Sequence, residues 1–91
     1  MAIYLVSFDL RTVSHDYEHL YRALVEMSGK ESHPTAWLVE SNLPLREISS
    51  QLLGYVTRED GLLVVEITPA TPWAATRLKG GTGEWLKAKR P

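Results

Sequence analysis

At the start of the chain Ile3, Leu5 and Ser7 alternate with Tyr4, Val6, Phe8 and Leu10, the two-residue period of a β-strand. Apolar side chains fall on both sides of this run, which predicts a central strand covered on both faces. Helices are expected on one face. In so short a chain a second copy of the protein is a natural cover for the other. The strand ends on a single acid, Asp9, which reads either as a turn former or as a metal ligand at the edge of that second surface.

The polar stretch Thr12-Val13-Ser14-His15-Asp16 supplies residues that cap a first helical turn. Tyr17, Leu20, Tyr21, Leu24 and Val25 follow at helical spacing, and Gly29 is placed to end the helix. Lys30 to Pro34 reads as a turn with a short strand around 31–33. Thr35 to Ser41, containing Trp37, Leu38 and Val39, predicts a further strand. Asn42-Leu43-Pro44 opens a second helix, whose stripe is Leu45, Ile48, Leu52 and Val56 and whose end Gly54 weakens. Arg58 to Gly61 is a turn, and Leu62 to Thr68 is a strand expected beside the first. Pro69 and Pro72 break the pattern, and the tail predicts a short edge strand and a last helical turn after Gly80-Gly81-Thr82-Gly83.

This order of elements predicts an α+β ferredoxin-like sandwich, an antiparallel sheet with two helices on one face. Residues 1–91 form one such domain, with 69–91 as its C-terminal tail. The uncovered face carries the alternate residues of three apolar strands, so a sheet-mediated homodimer is expected. At 91 residues a domain buries only about 60–65% of its unfolded surface, and dimerisation adds to that.

Composition narrows the chemistry. The chain has no cysteine, so disulfides, thiolate metal sites and cysteine nucleophiles are excluded. No signal-peptide pattern or membrane-length apolar run is present, which predicts a cytoplasmic protein with no membrane partner. The net charge of −1 is uneven: residues 77–91 hold 5 basic groups and 1 acidic one, against 5 basic and 10 acidic before them. Arg77, Lys79, Lys87, Lys89 and Arg90 read either as a solvated terminal face or as contacts to nucleic-acid phosphates.

The Tyr4-to-Leu10 strand, the helix with Tyr17 and Leu20, the strand 36–40 and the strand 62–67 together resemble the CRISPR-associated protein 2 superfamily. The likeness is to its stand-alone branch of SinR-like proteins, related to the virulence-associated protein D toxins. It spans residues 2–68, and its compact motif is Tyr-x-x-x-(Phe/Tyr)-Asp-Leu. Thr12 to Asp16 stands where further acids and arginines are usual in that family, and Ala36 where a small hydroxyl residue is. The resemblance implies a homodimer in which Asp9 faces its partner copy. Two such acids can hold one Mg²⁺ and support endonuclease cleavage of RNA or DNA, while other members of the family are non-catalytic DNA scaffolds. Asp9 is then the candidate catalytic and metal residue, with Ser7 or Arg11 on the phosphate.

Other features read more plainly. His15 and His19 are four apart without the acid of a zinc motif, so they and His33 are expected as exposed or capping residues. The glycine loop lacks the lysine of a phosphate-binding loop and reads as a connection. Trp37 is a core or interface residue, and Trp85 either contacts nucleic acid beside Lys87 and Lys89 or anchors the tail. The sequence leads to a nucleic-acid-binding homodimer that cleaves with Mg²⁺. The alternatives are a silent dimer that binds nucleic acid or protein, and a ligand-sensing regulatory domain.

Overall fold

Alternation in the first strand divides the molecule into two cores. The computed structural model describes residues 1–91, and its strands are β1 (Ala2–Asp9), β2 (Lys30–His33), β3 (Ala36–Ser41) and β4 (Gly61–Ile67). They form one four-stranded sheet in the order β2-β3-β1-β4, with every neighbouring pair antiparallel. Helix α1 (Glu18–Glu26) connects β1 to β2, helix α2 (Leu45–Leu53) connects β3 to β4, and helix α3 (Thr82–Lys89) follows a short 3₁₀ turn at Lys79–Gly81. The fold is α+β, and none of its helices is long and apolar enough to cross a membrane.

Tyr4, Val6 and Phe8 of β1 join Trp37 and Val39 of β3 and pack on Leu20, Ala23 and Leu24 of α1 and on Ile48 and Leu52 of α2. This is the larger core. Tyr4 is anchored by its hydroxyl, which donates to the Leu43 carbonyl at 2.7 Å. Burial raises its phenol pKa, and the Glu66 charge adds to that rise. On the other face Ile3, Leu38 and Ile67 form a second cluster with Leu86 of α3, flanked by Leu5, Trp73 and Trp85.

The second cluster changes the expected picture of the tail. Residues after Ile67 form no edge strand, and the final helical turn is an eight-residue helix. It lies across one half of the sheet face that the sequence left open, because Leu86 supplies the apolar cover that Ile3, Leu38 and Ile67 need. The other half stays uncovered, with Leu63 59% and Val65 41% exposed. Gly80 and Gly81 both take left-handed backbone angles, φ 57° and 71°, at the turn into α3. Their conformations explain why glycine serves this connection.

Two smaller differences concern helix α1. Val25 lies 62% exposed, and Ala23 takes the buried position beside Leu24 instead. The helix stops by a reversal in which Ser28, at φ 56°, takes the left-handed position. The Ser28 and Gly29 amides then donate to the carbonyls of Val25 and Leu24 at 3.0 and 2.9 Å, the hydrogen-bond pair of a Schellman ending. Gly29 is needed for a different reason. A Cβ there would press on the Leu24 carbonyl and come within 2.9 Å of the Trp37 ring.

Three substitutions test these assignments by urea denaturation. Gly29→Ala lowers stability by about 1–3 kcal/mol through that overpacking, whereas Ser28→Gly raises it by about 0.5 kcal/mol by relieving the left-handed penalty. Leu86→Ala costs about 2–4 kcal/mol if α3 roofs the second core as described; a cost under about 0.5 kcal/mol would contradict that packing.

Candidate functional site

Asp9 closes β1 opposite Gly61, the first residue of β4. It shares a face with Ile3, Leu5 and Ser7, because side chains alternate along the strand, and lies at the end of the sheet away from α3. Its carboxylate is 66% exposed. A shallow hollow of about 230 Å³ beside it is lined by Ser7, Asp9, Gly61 and Leu63 among others. A Cβ at Gly61 would sit 3.5 Å from that of Asp9 and 3.6 Å from Arg11 Nη2, in ordinary contact with both.

Arg11 is the neighbour that defines the acid. Its Nε donates to Asp9 Oδ2 at 2.8 Å, and its Nη1 donates to the Glu59 carbonyl at 3.2 Å. Oδ1 of Asp9 has no partner within the chain. The ion pair is exposed on both sides, so its strength is that of a surface pair and its role is orientation.

Asp60, which the sequence shows only as part of a turn, is what holds this end of the sheet together. It accepts the Arg11 amide at 2.7 Å, the Thr57 amide at 2.7 Å and the Tyr17 hydroxyl at 2.8 Å to each oxygen. Tyr17 in turn accepts the Thr12 amide at 3.2 Å, and the hydroxyls of Thr12 and Thr57 are 2.7 Å apart. The strand exit, the start of α1 and the turn before β4 thereby meet at one carboxylate. Burial pushes its pKa up, but the amide donors of Arg11 and Thr57, then the Tyr17 and Thr57 side chains, outweigh this and hold it down to about 2. The Asp60-Gly61 pair before a strand was the available sequence signal. Its long-range partners were not visible there.

The remaining candidates separate. Lys79 Nζ donates to Glu31 at 3.2 Å, and Lys89 Nζ donates to both oxygens of Glu40 at 3.2 and 3.1 Å. Arg90 donates to the carbonyls of Ile67, Lys89 and Met1. Arg77 and Lys87 are exposed and make no ion pair. Trp85 packs beside the second core of its own chain, with Lys89 Nζ 5.6 Å from its ring centre. His15 stacks edge-on to Tyr17 at 4.7 Å, with Nε2 3.2 Å from the Tyr55 carbonyl, while His19 and His33 are exposed.

Mg²⁺ favours oxygen ligands and commonly takes one or two carboxylates, with water completing an octahedron. One chain offers Asp9 Oδ1 for this, and nowhere do three His, Asp or Glu side chains gather as a ligand set. The donor type fits the ion, and Asp9 supplies one of the one or two carboxylates it commonly takes. No family model matches the chain, and no solved structure matches it.

The depressed Asp60 pKa fixes the direction of an acid effect. The unfolded chain takes up the proton first as pH falls through the ordinary 3.8, so the contribution is present above that value and lost toward pH 2. The difference in melting temperature between wild type and Asp60→Asn is therefore constant above pH 5 and shrinks between pH 4 and pH 2. Thermal melts by circular dichroism check this, and a difference independent of pH over that range would refute the role.

Proposed function

We propose that this chain acts in the cytoplasm as a homodimer of ferredoxin-like subunits, of the CRISPR-associated protein 2-like kind, that binds RNA or DNA at its seam and hydrolyses phosphodiesters with Mg²⁺. The strand order β2-β3-β1-β4 with α1 and α2 on one face supports the ferredoxin-like plan. One observation carries the rest. The half of the second sheet face that α3 leaves open bears exposed Leu63 and Val65 and ends on Asp9.

A two-fold contact through this half-face uses the same patch on both subunits. It would remove Leu63 and Val65 from water and set two Asp9 residues against one seam. The two carboxylates, each oriented by Arg11, are the residues that would hold the ion. When bound, Mg²⁺ supplies polarisation of a phosphoryl oxygen and a more acidic attacking water. Arg11 supplies a guanidinium beside the same acid, suited to a phosphate oxygen, and Ser7 lies two residues before Asp9 on the same face.

A second reading has its own support. Asp9 is already paired with Arg11, while Arg77 and Lys87 are exposed and form no ion pair. An engaged acid and free cations suit a dimer that grips nucleic acid without cutting it. That reading requires binding to survive Asp9→Ala.

Labelled single- and double-stranded RNA and DNA, incubated with Mg²⁺ or with chelator, separate the two. Cleavage that needs Mg²⁺ and falls at least a hundredfold in identically purified Asp9→Asn supports the nuclease. Equal activity in the variant, or none in wild type, sinks it. Sedimentation provides the assembly test: wild type runs as a dimer, and Leu63→Glu shifts it to monomer while the circular dichroism spectrum is unchanged. A monomeric wild type would remove the shared site altogether.

A further inference from the structure

Two adjoining clefts lie between the segment after β4 and helix α3, at the end of the sheet remote from Asp9. One, of about 380 Å³, is lined by Trp73, Arg77, Glu84 and Lys87 among others. The second, of about 390 Å³, is lined by Thr71, Trp73, Lys87 and Arg90 among others. Trp73 and Lys87 belong to both, so the two form one groove with an indole and an ammonium at its middle. Each part is within the range of small-molecule sites.

Two of the cations on this groove are unspent. Lys79, Lys89 and Arg90 are occupied by Glu31, Glu40 and backbone carbonyls. Arg77 and Lys87, the two tail cations with no hydrogen-bonded acceptor, both line the first cleft beside Trp73. Arg77 is also held at φ 56°, a left-handed backbone that side-chain-bearing residues rarely adopt and that recurs at ligand clamps. Trp73 is half-buried, and its ring is oriented by an Nε1–H bond to the Arg90 carbonyl at 2.9 Å. The indole is therefore fixed before any ligand arrives, which lowers the ordering cost of stacking on it.

We propose that this groove binds a base-phosphate unit, either a free nucleotide or one nucleotide of a single strand. The base stacks on Trp73, and the phosphate pairs with Arg77 and Lys87. Glu84, on the wall of the same cleft, accepts hydrogen bonds from ribose hydroxyls or a base amino group, donors that inorganic phosphate lacks. The groove thus discriminates a nucleotide from inorganic phosphate. Asp9 lies at the other end of β1 from Ile3, about 20 Å along the strand, so this site stands apart from the metal-dependent reading and needs no second copy.

Isothermal titration with adenosine 5′-monophosphate, an eight-nucleotide single-stranded oligonucleotide and inorganic phosphate tests it, alongside tryptophan fluorescence. The expected result is saturable binding of the nucleotide or the oligonucleotide that weakens at least tenfold in Arg77→Ala/Lys87→Ala. Fluorescence quenching is lost in Trp73→Phe although Trp37 and Trp85 remain. Binding of both ligands assigns the site to free nucleotides as well as strands, and binding of the oligonucleotide alone assigns it to strands. If the double variant loses its fold by circular dichroism, Arg77→Gln and Lys87→Gln taken singly carry the same expectation of weakened binding. Three results overturn the proposal: no saturable binding of either ligand, inorganic phosphate bound as tightly as the nucleotide, or full affinity in folded variants. A failure here leaves Asp9-dependent cleavage untouched, and a failure of cleavage leaves this binding untouched.

Discussion

Strand β1 is paired on both edges, buried on one face and half covered on the other, and the rest of the molecule is arranged to satisfy it. Its hydrogen bonds go to β3 on one side and β4 on the other. Tyr4, Val6 and Phe8 draw α1 and α2 onto one face, and Ile3 draws α3 onto the other. The cost of leaving these side chains in water, about 1.5–3 kcal/mol for each large apolar group, makes both covers part of one cooperative structure. The position of Asp9 follows from the same alternation, since it is the last residue on the face that α3 only half covers.

The loop end of the sheet is ordered by polar contacts instead. Asp60 gathers an amide of its own turn, from Thr57, together with the Arg11 amide and the Tyr17 phenol from segments distant in sequence. Arg11 is thereby fixed through its backbone by Asp60 while its side chain reaches Asp9. Stability and the candidate site are linked at this point: the residue that locks the turn also aims the guanidinium beside the acid. Charge at the opposite end is organised by subtraction, because acids on β2 and β3 neutralise two tail lysines and leave Arg77 and Lys87 to face the groove beside Trp73.

Much of the fold is legible in the residues themselves. The strand and helix periods around Tyr4, Leu20, Ile48 and Val64 identify the elements, since a period of two or near 3.6 reflects which side must leave water. Proline at 44 marks a helix start and Asp60-Gly61 marks a turn, because these are local backbone preferences. Val25 misled, because it extends the apolar stripe of α1 past the width of surface that the sheet covers. The tail misled for a related reason: Leu86 and Trp85 lie in a helix of weak amphipathic pattern, and their burial depends on an exposed patch contributed by β1, β3 and β4.

By itself, then, the sequence determined where the strands and the first two helices lie, which face each β1 residue takes, that no thiol chemistry operates, and that one acid ends the first strand. All of these depend on neighbours within a few residues or on composition. Tertiary structure alone decided that α3 closes half of the second face and that Asp60 is the polar hub. It also decided that Lys79 and Lys89 are spent on acids 48 and 49 residues away, and that Trp73, Arg77 and Lys87 share a groove. Those outcomes are pairings between distant segments, and a pairing has no periodicity along the chain until folding brings its two halves together.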